Sequence, residues 1–414
     1  MARQVVVTGL GAVTPLGNDV PTLWECLLAG QSGIARISRF DASDLEVQIA
    51  AEVKDFDAEA LFDRRVARRN DRFTLFALEA ARQAITDAGL TFSHPSWDVG
   101  VLIGTGIGGV GTLLENYDQF NESGPRRISP FMTPMMMPNS ASAAVAITYG
   151  LNGPNFTIVS ACATGTHVLG EAAAIIQRGD AEVMICGGSE AATHPLSVSG
   201  FSNMGALSTR NDEPERASRP FDADRDGFVV GEGAGVLVLE SLEHARQRDA
   251  RIYCALVGYG ATADAFHITA PDEMGEGAAM AMQRALRRAN LAPEDVGYIN
   301  AHGTSTQLND PIETRAIRTV FGAHADRLAV SATKSMIGHL MGAAGAVEGV
   351  VSVKSVETGW VHPTINYETV DPLCDLDYVP NQARQLNPRY VLSNSFGFGG
   401  HNACVILARA EDVS

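Results

Sequence analysis

Cys162 is the residue whose surroundings best suit nucleophilic chemistry. It lies in the run VSACATG (159–165), after β-forming residues 156–159, which predict a buried strand, and before segment 164–178, which predicts a helix. Unpaired N–H groups and the positive end of a helix dipole favour a thiolate at such a position. Small neighbours leave room for a substrate, but free cysteines are also common core residues. The local context alone leaves both interpretations open.

Two histidines downstream favour the functional interpretation. His302 follows the predicted strand 296–300, and His339 lies in the run 331–346, which is rich in Gly, Ser and Ala. Neighbours this small bury an imidazole poorly. Two such histidines therefore indicate a functional site rather than core packing.

The composition limits the class of protein. The chain has 414 residues, of which 45% are hydrophobic, and this predicts a globular protein with two or three domains or one large duplicated unit. We find no apolar run of transmembrane length, no signal-peptide layout at the start and no CxxC spacing among the six cysteines. We therefore expect a cytoplasmic protein without a zinc site. A net charge of −17 disfavours a nucleic-acid partner.

The elements that must position these residues alternate between strand-like and helix-like segments, which predicts an α/β fold. Segment 4–11 (QVVVTGLG) resembles segment 253–260 (YCALVGYG), as if each opened one half of a duplicated chain. Two predicted hairpins, one near the end of each half, are 183–188 with 235–239 and 390–394 with 403–407. We expect an N-terminal half, 1–250, carrying Cys162, and a C-terminal half, 251–414, carrying both histidines.

A Gly-rich loop at 104–109 (GTGIGG) is similar to a dinucleotide-binding fingerprint but lacks its context. That fingerprint follows the first strand of a βαβ unit and needs an acidic residue about 20 positions later. The loop lies far from the start of the chain, and we find no such acid in a following strand. We therefore do not predict a nucleotide site.

Five ordered motifs give the chain a resemblance to a known family. They are SACATG at Cys162, AHGTST at His302, SATKS at Lys334, GHLMGAAG at His339 and NSFGFGG at 394–400. Together they resemble the β-ketoacyl synthase family, and more narrowly the elongating synthase II branch of bacterial fatty-acid synthesis. The resemblance covers essentially the whole chain. It implies a thiolase-like fold with two pseudo-duplicated halves in αβαβα layers, a site between the halves, and a homodimer.

The resemblance also implies a reaction. An acyl chain would be held on Cys162, and malonyl-[acyl-carrier-protein] would lose CO₂ to give an enolate that attacks it. Two neutral imidazoles, His302 and His339, would donate N–H groups to the enolate oxygen. A Cys-His-Asn set would suit initiating synthases, and a Cys-His-Cys set would suit thiolases. A polyketide ketosynthase and a type I elongating synthase stay open as alternatives, whereas the intact Cys162 disfavours a non-catalytic chain-length partner.

Further residues receive roles by the same resemblance. Lys334 is expected beside the histidines and tied to Glu348, because a buried ammonium needs a partner. The N–H groups of Cys162 and Phe398 would form an oxyanion hole, with Phe398 also gating the acyl pocket on a glycine hinge. The remaining expected residues are the supporting acids Asp310 and Glu313, the pantetheine-binding Thr304 and Thr306, and the acyl-pocket residues Ile107 and Phe201.

The implied partner is acyl carrier protein, which is acidic. Four arginines in this acidic chain are expected to form a positive rim for it: Arg65, Arg68, Arg126 and Arg127. Such clusters are by default solvated surface. The resemblance implies no metal and no cofactor beyond the carrier's 4′-phosphopantetheine. His401 follows GFGG where many relatives carry Thr, which affects only the pocket mouth.

Overall fold

The computed structural model describes residues 3–412, in which strands and helices alternate along the chain. The strands are β1 (Val5–Val13), β2 (Ala35–Arg36), β3 (Ile49–Ala50), β4 (Val99–Gly104), β5 (Asn155–Phe156), β6 (Val183–Glu190), β7 (Gly233–Ser241), β8 (Cys254–Ala263), β9 (Val296–Asn300), β10 (Ala329–Ser331), β11 (Trp360–Val361), β12 (Arg384–Gln385), β13 (Tyr390–Gly397) and β14 (His401–Arg409). The helices are α1 (Val20–Leu28), α2 (Ala58–Leu61), α3 (Arg64–Arg69), α4 (Arg72–Asp87), α5 (Val110–Ser123), α6 (Met132–Met136), α7 (Ser140–Tyr149), α8 (Thr164–Arg178), α9 (Pro195–Asn203), α10 (Leu242–Gln247), α11 (Glu276–Ala289), α12 (Asn309–Phe321), α13 (Lys334–Ile337) and α14 (Ala344–Thr358).

The main sheet has ten strands and repeats one order in two halves. The order is β5-β4-β6-β7-β1 in the N-terminal half and β10-β9-β13-β14-β8 in the C-terminal half, joined by antiparallel pairing of β1 with β8. In each half the three outer strands are parallel to one another. The next strand, β7 or β14, runs antiparallel to both of its neighbours. The predicted antiparallel pairing is confirmed for both β6–β7 and β13–β14, but only β13–β14 is a hairpin, since residues 191–232, which include α9, connect β6 to β7. The division of the chain near residue 250 stays a prediction.

Two helices lie between the halves of the sheet and bring them together. α8 contacts β6 and β14, and α14 contacts β7 and β13 as well as α8. The two helices approach so closely that a Cβ on Gly165 would lie 2.3 Å from the backbone nitrogen of Ala346. Only glycine fits such an approach of two backbones. The sequence therefore places its small residues at the seam of the central layer.

The outer helices complete five layers in the order α-β-α-β-α. α4 and α7 cover the outer face of the N-terminal half, and α11, with α12 against it, covers that of the C-terminal half. This is the layered arrangement expected of a thiolase-like fold. No helix within residues 3–412 is long and apolar enough to cross a membrane.

The prediction of a buried strand at 156–159 is wrong. β5 contains only Asn155 and Phe156, and the side chains of Phe156 and Val159 are 44% and 51% exposed. β5 is the last strand of the sheet order and pairs only with β4. Its β-forming residues therefore belong to an edge whose apolar side chains remain uncovered in the single chain.

Candidate active site

Cys162 lies on a tight turn directly before α8, as predicted. The helix begins at Thr164, and Ala161 adopts a left-handed conformation with φ of 49°. The turn is fixed by hydrogen bonds from Ala163 N to Ser160 O at 3.1 Å and from Ser160 N to Thr164 Oγ1 at 2.8 Å. A left-handed alanine is costly and persists only where its surroundings hold it. The turn therefore presents the Cys162 sulfur to the cavity in one orientation.

The expectation that this position favours a thiolate is wrong for the free site. Burial raises the pKa of Cys162 to about 11, although the positive charge of Lys334 and the N–H groups of Phe398 and of Cys162 itself act in the opposite direction. A thiolate in an apolar cavity loses its hydration, and this cost exceeds the local stabilisation. The sulfur is therefore protonated at neutral pH. The same two N–H groups point to where a substrate oxygen would lie.

His302 lines the cavity, and its contacts place the ring proton on Nε2. Its backbone N–H and that of Gly303 each donate to the Glu313 carboxylate at 2.8 Å. The Lys334 ammonium donates to the His302 carbonyl at 2.7 Å and lies 3.4 Å from Nδ1. Because an ammonium can only donate, Nδ1 is the acceptor and Nε2 carries the hydrogen. Burial and the charge of Lys334 keep the pKa of His302 well below its usual value, and repulsion from His339, were both rings protonated, would act in the same direction.

His339 has the same tautomer, fixed by a different donor. Met341 N donates to His339 Nδ1 at 3.2 Å, which leaves the hydrogen on Nε2, and this buried Nε2 has no hydrogen-bond partner among the described residues. Burial and the charge of Lys334 hold the pKa of His339 well below its usual value. The two imidazole centroids are 5.5 Å apart at an interplanar angle of 84°. Two neutral rings with Nε2–H groups can therefore stabilise one developing oxyanion.

Lys334 and Glu348 form a buried ion pair behind His302. Both side chains are 1% exposed, and the Lys334 ammonium donates to the Glu348 carboxylate. Burial raises the pKa of Glu348, and the charge of Lys334 opposes that rise. The lysine does not line the cavity, so it acts on His302 through that residue's carbonyl and tautomer, and on His339 through its charge. Asp310 accepts from the backbone N–H of Thr304 in the same loop and from Phe221 N, in a different segment, at 2.8 Å.

The site opens into a cavity of about 470 Å³ between the two halves. Its walls are mostly apolar, which suits an acyl chain better than a polar substrate. The structure brings eight of the predicted residues to this cavity: Cys162, His302, His339, Phe398, Thr304, Thr306, Ile107 and Phe201. The hydroxyls of Thr304 and Thr306 are 2.9 Å apart.

Glu190 is a site residue that the sequence did not reveal. Its buried carboxylate accepts from Gly106 N at 2.6 Å and Thr105 Oγ1 at 2.8 Å, and from Gly342 N at 3.0 Å in the turn after His339. The N–H groups of the Gly-rich loop therefore bind a carboxylate of the chain itself. One feature of the sequence could have indicated Glu190: it is an acidic residue at the end of an otherwise uncharged strand segment. That strand, β6, is buried along its whole length.

The GFGG segment is fastened to a loop that sequence reasoning did not name. Gly399 N donates to Ile268 O at 2.7 Å, and Asn402 Nδ2 donates to Asp264 Oδ1 at 2.6 Å. Gly399 has a φ of 82°, which favours glycine. The backbone around Phe398 is thus tied to residues 264–268 and contains a glycine in a left-handed conformation.

The four predicted arginines are exposed and do not line the cavity: Arg65, Arg68, Arg126 and Arg127. Their segments are neighbours, because the Arg69 guanidinium lies 4.5 Å over the ring of Phe131. Arg68 lies 3.9 Å from Glu59, a weak surface pair. The structure therefore places the arginines on the surface, outside the site itself.

Comparison with known proteins agrees with this geometry. The family models described as "Beta-ketoacyl synthase, N-terminal domain" and "Beta-ketoacyl synthase, C-terminal domain" match residues 2–245 and 253–368. The chain is 54% identical to proteins named 3-oxoacyl-[acyl-carrier-protein] synthase 2 from Coxiella burnetii and Synechocystis, with 99% of each chain covered. A solved type II polyketide ketosynthase, in complex with its acyl-carrier protein, is 36% identical with a TM-score of 0.91, covering 99% of this chain and 100% of that one. The expected fold is confirmed.

Proposed function

Because this chain belongs to the β-ketoacyl synthase family, we propose that it is a 3-oxoacyl-[acyl-carrier-protein] synthase of fatty-acid elongation, an acyltransferase. The reaction joins a Cys162-bound acyl chain to malonyl-[acyl-carrier-protein] with loss of CO₂. The fatty-acid assignment is favoured over a polyketide or type I synthase, because the full-length relatives with that name share 51–54% of residues, whereas the solved polyketide ketosynthase shares 36%.

One observation carries the proposed chemistry: two neutral imidazoles line the cavity of the nucleophile, and in each of them Nδ1 is occupied as an acceptor, which leaves the hydrogen on Nε2. Lys334 fixes the tautomer of His302, and Met341 N fixes that of His339. A neutral N–H can stabilise an enolate without transferring its proton permanently. Hydrolysis would need a base to activate water, which such low pKa values and N–H orientations do not favour.

The first half-reaction transfers the acyl group to Cys162. The sulfur forms a bond to the acyl carbonyl carbon while the bond from that carbon to the carrier's sulfur breaks. The carbonyl oxygen accepts hydrogen bonds from the backbone N–H groups of Cys162 and Phe398, which already face the sulfur in the free site. The thiol proton leaves with the carrier as its free thiol. The high pKa of Cys162 makes acylation depend on this oxyanion stabilisation.

The second half-reaction forms the carbon–carbon bond. The malonyl carboxylate leaves as CO₂, and its electron pair becomes an enolate whose thioester oxygen accepts from His302 and His339 Nε2–H. The enolate carbon attacks the acyl carbonyl carbon on Cys162, and the bond to the cysteine sulfur breaks. A proton from solvent restores the thiol. Thr304 and Thr306 hold the pantetheine arm, and Ile107 and Phe201 line the acyl chain.

The proposed partner is acyl carrier protein. The four exposed arginines lie on neighbouring segments and would meet its acidic surface. A solved ketosynthase with 36% identity is described in complex with such a carrier. The reaction would need no cofactor beyond the carrier's phosphopantetheine and no catalytic metal, and the cytoplasmic location remains a proposal as well.

We also propose a homodimer built on β5. Its free edge ends the sheet order, and Ile147, Phe156 and Val159 expose apolar side chains around it. An unpaired strand edge with exposed apolar residues invites pairing with a second copy. Sedimentation of the purified protein would test this, since a Phe156→Lys variant should shift towards monomer.

The function is tested with purified chain, acyl-carrier primer and malonyl-carrier. Intact mass should show the acyl group on the enzyme first and a 3-oxoacyl-carrier afterwards. Cys162→Ala should lose both, whereas Cys26→Ala, a free cysteine outside the cavity, should lose neither. An acyl-enzyme formed by Cys162→Ala would overturn the assignment of the nucleophile. Products several condensations long from one primer would favour the polyketide alternative.

A further inference from the structure

A segment of the N-terminal half grips the loop that carries His302 and the two threonines. Arg219 N donates to Ser305 Oγ at 2.9 Å, and Gly227 N donates to Ser305 O at 3.1 Å. Phe221 N donates to the Asp310 carboxylate at 2.8 Å, just beyond the loop. Elements some 80 residues apart thus share one hydrogen-bond network. The conformation of this loop therefore depends on the segment 219–227.

Arg225 is the charged member of this segment. Its side chain is 4% exposed, and Nε donates to the Thr306 carbonyl at 2.9 Å. Nη1 donates to the Asp222 carbonyl and to Asp371 Oδ2, both at 2.7 Å, and Nε lies 3.8 Å from Asp310 Oδ2. A buried guanidinium that is balanced by two carboxylates has one geometry available. It therefore fixes the Thr306 carbonyl in space.

The loop needs an external support at this point. Ser305 has a φ of 68°, a conformation that residues other than glycine adopt reluctantly. On either side of it, the Thr304 and Thr306 hydroxyls face the cavity 2.9 Å apart. Asn309 N also donates to Thr306 Oγ1 at 3.2 Å, so loss of the bond from Arg225 should loosen the peptide after Ser305 and the orientation of the two hydroxyls without releasing them fully.

His302 is held by different groups. The Glu313 carboxylate accepts from the N–H groups of His302 and Gly303, and Lys334 donates to the His302 carbonyl. Loss of Arg225 should therefore disturb the threonines much more than the imidazole. The two effects can be separated by substrates that differ only in what the threonines would bind.

We propose that Arg225 is a positioning residue that orients Thr304 and Thr306 to receive the amide-bearing pantetheine arm of the substrate thioester. This inference rests on the proposed function. It adds that recognition of the arm by one half of the chain depends on a buried cation from the other half.

The experiment uses full-length enzyme with Cys162 already acylated, the loading being checked by intact mass. CO₂ release is measured from malonyl-pantetheine and from malonyl ethyl thioester, which has the same reacting group but no amide. Wild type should prefer the pantetheine thioester in kcat/KM by at least about tenfold. Arg225→Met should lose most of that preference through KM, and Arg225→Lys about half of it on a logarithmic scale. Both variants should stay within about twofold of wild type on the ethyl thioester.

Arg210→Met is the matched control. Arg210 donates to the Asp224 carbonyl at 2.8 Å and lies 3.9 Å from Asp226 of the same segment, but among the described residues it makes no bond to the loop of Thr304 and Thr306. This variant should keep the preference. The double variant Arg225→Lys with Thr306→Val gives a second measurement. If Arg225 acts through Thr306, adding Arg225→Lys to Thr306→Val should reduce the preference for the pantetheine thioester by less than a further twofold.

Equal losses on both thioesters would overturn the inference, and so would an unchanged preference in Arg225→Lys. Full additivity of Arg225→Lys with Thr306→Val would also overturn it. A wild-type enzyme that decarboxylates both thioesters equally well would overturn the role of the arm while leaving the condensation intact. A wild-type enzyme that releases no CO₂ from these thioesters would overturn the inference, and one that releases none from malonyl-carrier either would overturn the proposed function itself.

Discussion

Replacing His339 by alanine should separate the two half-reactions. The ring supplies one of the two Nε2–H groups for the enolate, and neither of the N–H groups, from Cys162 and Phe398, that face the acyl oxygen. Removal of a single oxyanion donor typically costs 10²–10³-fold in rate, or about 3 kcal/mol. Decarboxylation should fall by that factor, whereas acylation of Cys162 should stay within about threefold of wild type.

The same substitution has a cost in stability that must be measured separately. Met341 N loses its acceptor, His339 Nδ1, and an unpaired buried N–H costs about 1–3 kcal/mol. Denaturant unfolding should show a loss of stability in this range.

The low pKa values of His302 and His339 also predict how the wild-type rate depends on pH. Because neither imidazole takes up a proton near neutrality, titration of the histidines should not change the decarboxylation rate between pH 6 and 8. Protonation of the rings would leave both N–H donors in place. It would change the electrostatic field at the enolate, but only at a much lower pH.

The assay measures acyl-enzyme formation by intact mass and CO₂ release from malonyl-carrier by preacylated enzyme. His324→Ala is the control. Among the residues that the structure describes, the His324 imidazole hydrogen-bonds only with Val296 O, and it lies outside the cavity. It should leave both rates near wild type. Equal loss of acylation and decarboxylation in His339→Ala would refute the division of roles.

Three further outcomes follow from the same geometry. Ile107→Phe should leave short primers almost unaffected and block acylation by long ones, because overpacking costs about 1–3 kcal/mol where the chain would meet the ring; a uniform loss across chain lengths would make Ile107 ordinary core. Charge reversal should be tested at the four arginines Arg65, Arg68, Arg126 and Arg127. It should raise KM for acyl-carrier much more than for acyl-pantetheine, and the difference should decrease as the salt concentration rises. Equal effects on both substrates would contradict a carrier surface. Alkylation of Cys162 by iodoacetamide should accelerate about tenfold per pH unit between pH 7 and 9, because its pKa is raised to about 11 and the thiolate fraction rises with pH throughout that window; a plateau below pH 8 would show a thiolate already formed.

Local patterns in the sequence indicated Cys162, His302 and His339, whereas the other predicted cavity residues came from the resemblance to a family. Cys162 before a helix and the histidines in turns of small residues depend on their immediate neighbours, and those neighbours are visible in the chain. The alternation of segments and the two expected strand pairs likewise predicted the repeated half-sheets. The alternation of segments depends on neighbouring residues in the same way, whereas the pairing of β6 with β7 spans residues 191–232.

What the sequence could not provide depends on contacts between distant segments. The partners of Glu190 come from two loops, one about 85 residues before it and one about 150 after it. The pKa of Cys162 is set by how completely the fold removes water, so helix position alone predicted the wrong direction. The exposure of β5 depends on its place at the end of the sheet, which the residues 156–159 do not encode locally.

The glycine and alanine seam between α8 and α14 has a consequence for recombination. α8 follows the nucleophile of one half, and α14 follows the His339 turn of the other. Because Gly165 and Ala346 approach so closely, a chimera that joined halves of two relatives near residue 250 would combine helices selected against different partners. A single methyl group at this seam would wedge the helices apart and move the sulfur away from the imidazoles. Swapping loops around the cavity mouth should therefore yield functional hybrids far more often than swapping whole halves.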